Sequence, residues 1–330
     1  MQLLLDILLF LAGFVLLTAG ADFLVRGASR IAVRLNVSTV VIGLTIVAFG
    51  TSLPELMVVI LANLEGRGAN DIAIGNIIGS NIANIGLILG IAALLAGVRV
   101  ETDLVRREIP LLLGMSVVFI ALSWDGRLGT IEGLILAAGL IAFTYYTYTN
   151  TRSIAPADPV KRVEAVQSLD PAIAKPNGNP LLDVGLVLVG LVMLVFGADW
   201  LVTAASSLAR AFGISELVIG LTLVAVGTSL PELATTFAAV RQEEANIAVG
   251  NAIGSNLFNM LFIGGVGALI RPLTVPDSMF WVDYPVMMLM TALVFVMAWP
   301  KPHFLRRWHG AVLLGVYTVY TVWLFIGPRG

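Results

Sequence analysis

The chain has 330 residues, 58% of them hydrophobic and only 12% charged, with a formal net charge of -2 and a mean hydropathy of +0.96. A soluble chain carries about twice that charged fraction, and apolar runs of about 20 residues without strand-like alternation predict an all-α polytopic membrane protein. The absence of cysteine excludes disulfides, thiolate metal sites and cysteine nucleophiles, and no basic block offers a surface for nucleic acid.

Ten apolar segments are legible, near 3–25, 38–64, 70–96, 107–123, 128–150, 181–205, 215–240, 246–270, 279–299 and 307–326. The opening MQLLLDILLF lacks the positive region of a signal peptide and reads as a retained first span. The second segment carries GLTIVAFGTSLPEL (43–56) and the third IAIGNIIGSNIANIGLILG (72–90). Residues 151–180, with Pro156, Pro159, Pro171, Pro176 and Pro180, read as an irregular linker with a short helix around 160–168. Beyond it the seventh and eighth segments repeat the polar text as GLTLVAVGTSLPEL (220–233) and IAVGNAIGSNLFNMLFIGG (247–265).

The two halves match throughout. Asp6 and Asp183, Asp22 and Asp199, Thr51 and Thr228, and Glu55 and Glu232 are each 177 residues apart. The offset then becomes 175, relating Ser80 to Ser255, Asn84 to Asn259, Glu108 to Asp283 and Pro110 to Pro285. The expected organisation is therefore a five-helix repeat over 1–150, a cytoplasmic linker over 151–180, and a second five-helix repeat over 181–330. An odd number of spans inverts the second repeat relative to the first. With the N-terminus outside, fourteen of the 19 basic residues fall on cytoplasmic connections and five outside, which predicts both termini outside. Inverted repeats with polar, Gly/Pro-interrupted helices at matching positions point to a secondary transporter with its site at the midplane.

Glu55 and Glu232 are ionisable groups in the middle of lipid-length segments, a placement that is expensive and marks an ion or substrate path. Pro54 and Pro231 each remove a backbone donor and crowd the carbonyl of Gly50 or Gly227 four residues earlier, so each helix should bend or open there. The carbonyls over 48–51 and 225–228, the Ser and Thr hydroxyls and one carboxylate make an all-oxygen donor set suited to hard cations. In the companion motif Asn76, Ser80 and Asn84 share a helical face, as do Asn251, Ser255 and Asn259. Two ionised glutamates would be neutralised by one Ca²⁺ or by two or more Na⁺, so the ions should exclude one another, which is the logic of antiport. Among the remaining charges, Asp22 and Asp199 are expected to pair with nearby arginines. Asp6, Asp183 and Glu132 are expected at the interface, with Trp124, Tyr284 and Trp299 as interfacial anchors.

G-T-S-L-P-E followed by G-N-x-x-G-S-N, twice, resembles the cation/calcium exchanger superfamily over essentially the full length, and specifically its compact prokaryotic sodium/calcium antiporters. The resemblance implies Na⁺-driven Ca²⁺ exchange in a prokaryotic inner membrane, with the first and sixth spans sliding against the other eight. It implies Glu55 and Glu232 as shared acidic ligands and the Thr51 and Thr228 carbonyls as partners on Ca²⁺. Ala48, Ser52, Ser80, Ala225, Ser229 and Ser255 would serve flanking Na⁺ sites, with Asn84 and Asn259 at the centre. Several relatives, the potassium-dependent exchangers included, carry aspartate where this chain has Asn259, which argues for K⁺-independent exchange. The expected partners are thus Ca²⁺, Na⁺ and the lipid bilayer, with no cofactor and no obligatory protein partner. Two alternatives stay open: an H⁺/Ca²⁺ antiporter using the same two glutamates, and a cation channel, which would need a continuous filter.

Overall fold

The computed structural model describes residues 2–35, 37–65, 70–151, 179–211 and 225–326. The chain over 152–178, including the short helix expected around 160–168, lies outside the described residues, as does the first part of the seventh segment.

Two long helices, α1 (Gln2–Leu35) and α9 (Pro180–Ala211), pack against each other. At 34 and 32 residues they run to about 50 Å, well beyond the ~30 Å hydrocarbon core. Their outer faces are leucine and valine left to lipid, for example Leu4, Leu8 and Leu11 on α1 and Leu188 and Val192 on α9. Their inner faces are backbone. A Cβ placed on Gly197 would meet the Leu17 nitrogen at 2.6 Å, and one on Gly190 the Leu24 nitrogen at 2.7 Å. Only glycine allows this approach, and small residues are how helices gain contact in lipid. Arg30 and Arg34 of α1 then clasp Asp183, whose side chain is fully buried. At the other end Ser207 Oγ donates to Asp6 at 2.7 Å.

The other helices form the core against which this pair packs. The chain descends through α2 (Thr39–Ile42), a π-helical turn (Gly43–Val47) and α3 (Ala48–Thr51), bends, and continues as α4 (Leu53–Glu65). It returns as α5 (Asn70–Ala83), a π-helical segment (Asn84–Leu89) and α6 (Gly90–Ala96). A third π-helical turn (Leu104–Glu108) leads into α7 (Ile109–Leu122), and α8 (Thr130–Thr151) closes the first half. After α9, the second half runs through α10 (Ala225–Thr228), α11 (Leu230–Arg241), α12 (Ala245–Phe258), a π-helical turn (Asn259–Ile263) and α13 (Gly264–Ile270). It ends with α14 (Asp277–Trp281), α15 (Asp283–Ala298) and α16 (Arg307–Ile326). The spans containing α5 and α12 are the most enclosed, with 78% of each apolar window buried. Two short antiparallel ladders tie the rims, Val98–Arg99 (β1) with Phe304–Leu305 (β4) and Arg127–Leu128 (β2) with Leu273–Thr274 (β3).

Among the described residues six helices are long and apolar enough to cross a membrane, or seven if Thr39–Thr51 and Leu53–Leu64, bent by 41°, count as one span. Of the other expected segments, the fourth is reduced to the 14-residue α7 behind the π-helical turn that carries Arg106, Arg107 and Glu108, the seventh lies partly outside the described residues, and the tenth is the continuous 20-residue α16. Two side chains depart from expectation. Tyr284 is buried rather than interfacial, its hydroxyl 2.9 Å from Ser123 Oγ, whereas Trp124 and Trp299 are exposed as anchors should be. Asp183 is enclosed by α1, because two guanidinium groups replace the water an interfacial carboxylate would keep. Asp22 does find an arginine, but a distant one in sequence, Arg241, with Gln242 adding a bond of 3.1 Å.

Candidate functional site

Each G-T-S-L-P-E copy forms the same local structure. Helix α3 stops at Ser52 (φ -83°, ψ 7°) and α10 at Ser229 (φ -89°, ψ 7°). Pro54 and Pro231 follow in the first turns of α4 and α11, where a missing N–H costs nothing. The helix bends rather than opens: Ser52 N–H still donates to the Ala48 carbonyl at 3.1 Å. The bend turns Glu55 and Glu232 into the protein, where both are about 1% exposed. Gly254 makes the approach possible, since a Cβ there would meet the Leu44 Cα at 2.7 Å and the Ala48 Cβ at 2.8 Å.

The two copies then exchange partners. Ser52 Oγ donates to Glu232 Oε1 at 3.2 Å, and Ser229 Oγ donates to Glu55 Oε1 at 3.4 Å. Ser80 stands beside Glu55 and Ser255 beside Glu232. Asn76 Nδ2 donates to the Glu55 carbonyl at 3.3 Å, and Thr51 Oγ1 to Asn251 Oδ1 at 3.2 Å. The second oxygens, Glu55 Oε2 and Glu232 Oε2, are buried with no hydrogen-bond partner among the described residues. Two buried carboxylates thus lie near one another among hydroxyls, and each has an oxygen that a cation could take up.

Of the twelve residues singled out from sequence, Ala48, Thr51, Ser52, Glu55, Ser80, Asn84, Ser229, Glu232, Ser255 and Asn259 are buried in this centre and Thr228 is half-buried. Ala225 opens α10, one turn before the second bend. Asn84 and Asn259 each begin a π-helical segment, a local widening often found at functional sites. Sequence reasoning missed Asn81 and Asn256. They hydrogen-bond across the two halves, Asn84 Nδ2 to Asn256 Oδ1 at 3.0 Å and Asn259 Nδ2 to Asn81 Oδ1 at 3.0 Å. The signal was present, since these two asparagines obey the same 175-residue offset.

A helical membrane protein with two reciprocally held carboxylates in its core has the architecture of a cation-handling membrane protein. Comparison with known proteins gives the family. The model of the sodium/calcium exchanger protein family matches residues 5–149 and 182–326, and the chain belongs to that family, whose members are transporters with Na⁺ and Ca²⁺ as cargo. It is 36% identical to the inner membrane protein YrbG of Escherichia coli over 319 residues, covering 96% of both chains. It is 35% identical to the sodium/calcium exchanger MaX1 of Methanosarcina acetivorans over 350 residues, covering 97% of this chain and 98% of the relative. A solved structure of the sodium-calcium exchanger NCX_Mj superposes with a TM-score of 0.82 at 33% identity, covering 98% of this chain and 99% of that one.

Proposed function

We propose that this protein is a secondary antiporter that exchanges Na⁺ for Ca²⁺ by alternating access and does not use K⁺. The observation that carries the reading is the crossed pairing of Ser52 with Glu232 and Ser229 with Glu55, which holds both buried carboxylates close together with an oxygen of each left over. In this reading Glu55, Glu232 and the Thr51 and Thr228 carbonyls hold Ca²⁺. Ala48, Ser52, Ser80, Ala225, Ser229 and Ser255 serve flanking Na⁺, and Asn84 and Asn259 stand at the centre. A single −2 site is neutralised by either cargo and not by both together, so loading one ion expels the other. The neutral carboxamide of Asn259, in place of an additional charge, supports exchange without K⁺.

The same reading takes the chain as ten spans in two inverted five-helix repeats, 1–150 and 181–330, joined by a cytoplasmic linker over 151–180. Both termini lie outside a prokaryotic inner membrane, a placement supported by the arginine and lysine asymmetry and by the name of the E. coli relative. The backbone contact between α1 and α9 supports their movement as one body against the core.

The test is Ca²⁺ uptake into proteoliposomes loaded with Na⁺ and diluted into Na⁺-free buffer, with parallel vesicles loaded with K⁺ or acid. Uptake that requires internal Na⁺, ignores K⁺ and falls to background in Glu55→Gln and Glu232→Gln is the expected result. Uptake driven by the acid load alone would assign the coupling to protons, and flux needing no counter-ion would remove antiport altogether.

A further inference from the structure

A carboxamide can serve a cation only through its oxygen, and nothing in its shape fixes which way round it sits. Around Asn84 and Asn259 the main chain fixes it. Asn256 Nδ2 faces the Asn81 carbonyl at 3.0 Å, and a carbonyl has no hydrogen to give, so the atom facing it must be the amide nitrogen. Asn256 Oδ1 is then an acceptor, and the Asn84 atom 3.0 Å away must be Nδ2. The other half repeats this: Asn81 Nδ2 donates to the Asn256 carbonyl at 3.4 Å, and Asn81 Oδ1 accepts from Asn259 Nδ2 at 3.0 Å. All four side chains are about 1% exposed, so water does not compete. Asn84 Oδ1 and Asn259 Oδ1 are left as buried acceptors with no donor among the described residues.

We propose that Asn81 and Asn256 are positioning residues that lock the polarity of the Asn259 and Asn84 carboxamides, so that both present oxygen and neither presents N–H to the transported cation. The inference rests on the reading of Asn84 and Asn259 as part of the cation site. It explains how a neutral amide works where an unoriented one would turn a donor toward a positive charge. It also predicts that the brace becomes dispensable when the braced residue has two equivalent oxygens.

That is the basis of the test. Asn81→Ala removes the acceptor that holds Asn259 Nδ2, and the apparent KM for Ca²⁺ in Na⁺-driven uptake should rise about tenfold with the maximal rate changed far less. In an Asn259→Asp background, where the carboxylate has no N–H for Asn81 Oδ1 to accept and either δ oxygen can face the cation, adding Asn81→Ala should raise KM by less than about twofold or lower it, so the penalty appears only when residue 259 is an amide. The mirror set, Asn256→Ala with and without Asn84→Asp, should behave alike and stands in if Asn81→Ala is poorly recovered from membranes. Equal KM penalties in the amide and carboxylate backgrounds would reduce the brace to ordinary packing and overturn the proposal. A different failure is separately visible: if Asn259→Ala and Asn84→Ala leave the Ca²⁺ KM unchanged while Glu55→Gln abolishes uptake, the placement of these two asparagines at the cation is what fails.

Discussion

The paired helices α1 and α9 and the centre built around Glu55 and Glu232 treat polar groups in opposite ways. In the outer pair the buried acid, Asp183, is matched by two guanidinium groups, and the contact between helices is glycine on backbone. At the centre, where α4, α11 and the π-helical segments after α5 and α12 meet, the polar side chains bond to one another across the halves and still leave Glu55 Oε2, Glu232 Oε2, Asn84 Oδ1 and Asn259 Oδ1 without a hydrogen-bond partner among the described residues. Unpaired buried oxygens are costly. Carboxylate and amide oxygens left without donors beside one another support the proposed reading of the centre as the cation site.

Substitutions in the outer pair should therefore change stability. Asp183→Ala removes the fully buried carboxylate that Arg30 and Arg34 clasp and should cost about 3 kcal/mol, read as a large fall in the melting temperature of the purified protein. Gly197→Leu forces a side chain into a 2.6 Å backbone approach and should cost about 2 kcal/mol by the same measurement, since overpacking a tight contact strains both helices. At the far end Asp6→Ala loses the bond from Ser207, the one it makes among the described residues, and should cost about 1 kcal/mol. If Asp6→Ala proved as damaging as Asp183→Ala, the two ends of the pair would not differ in the way their partners imply. An unchanged melting temperature for Gly197→Leu would mean that α1 and α9 are not in backbone contact.

Much of this was legible in the sequence. The 177- and 175-residue offsets identified which residues correspond, and Pro54 and Pro231 marked the bends. The partners were less so. Ser52 lies three residues before Glu55 and reads as that residue's companion, whereas the bend carries it to Glu232 instead. Asn81 and Asn256 look like ordinary helix-packing polar residues, because their role depends on which main-chain carbonyl each meets from the opposite half. The π-helical turns at Asn84 and Asn259 were not legible, since they interrupt apolar helices without a proline or a change in composition. Asp183 was read as interfacial because helix ends usually are; its burial depends on α1 continuing past it to Leu35.

Equilibrium titration of the purified protein with Ca²⁺, with and without Na⁺, addresses the shared site most directly. One Ca²⁺ per chain, displaced competitively by Na⁺ and lost in both Glu55→Gln and Glu232→Gln, is the result expected if the two carboxylates form a single site. Ca²⁺ binding that survives either substitution, or that Na⁺ fails to displace, would contradict it.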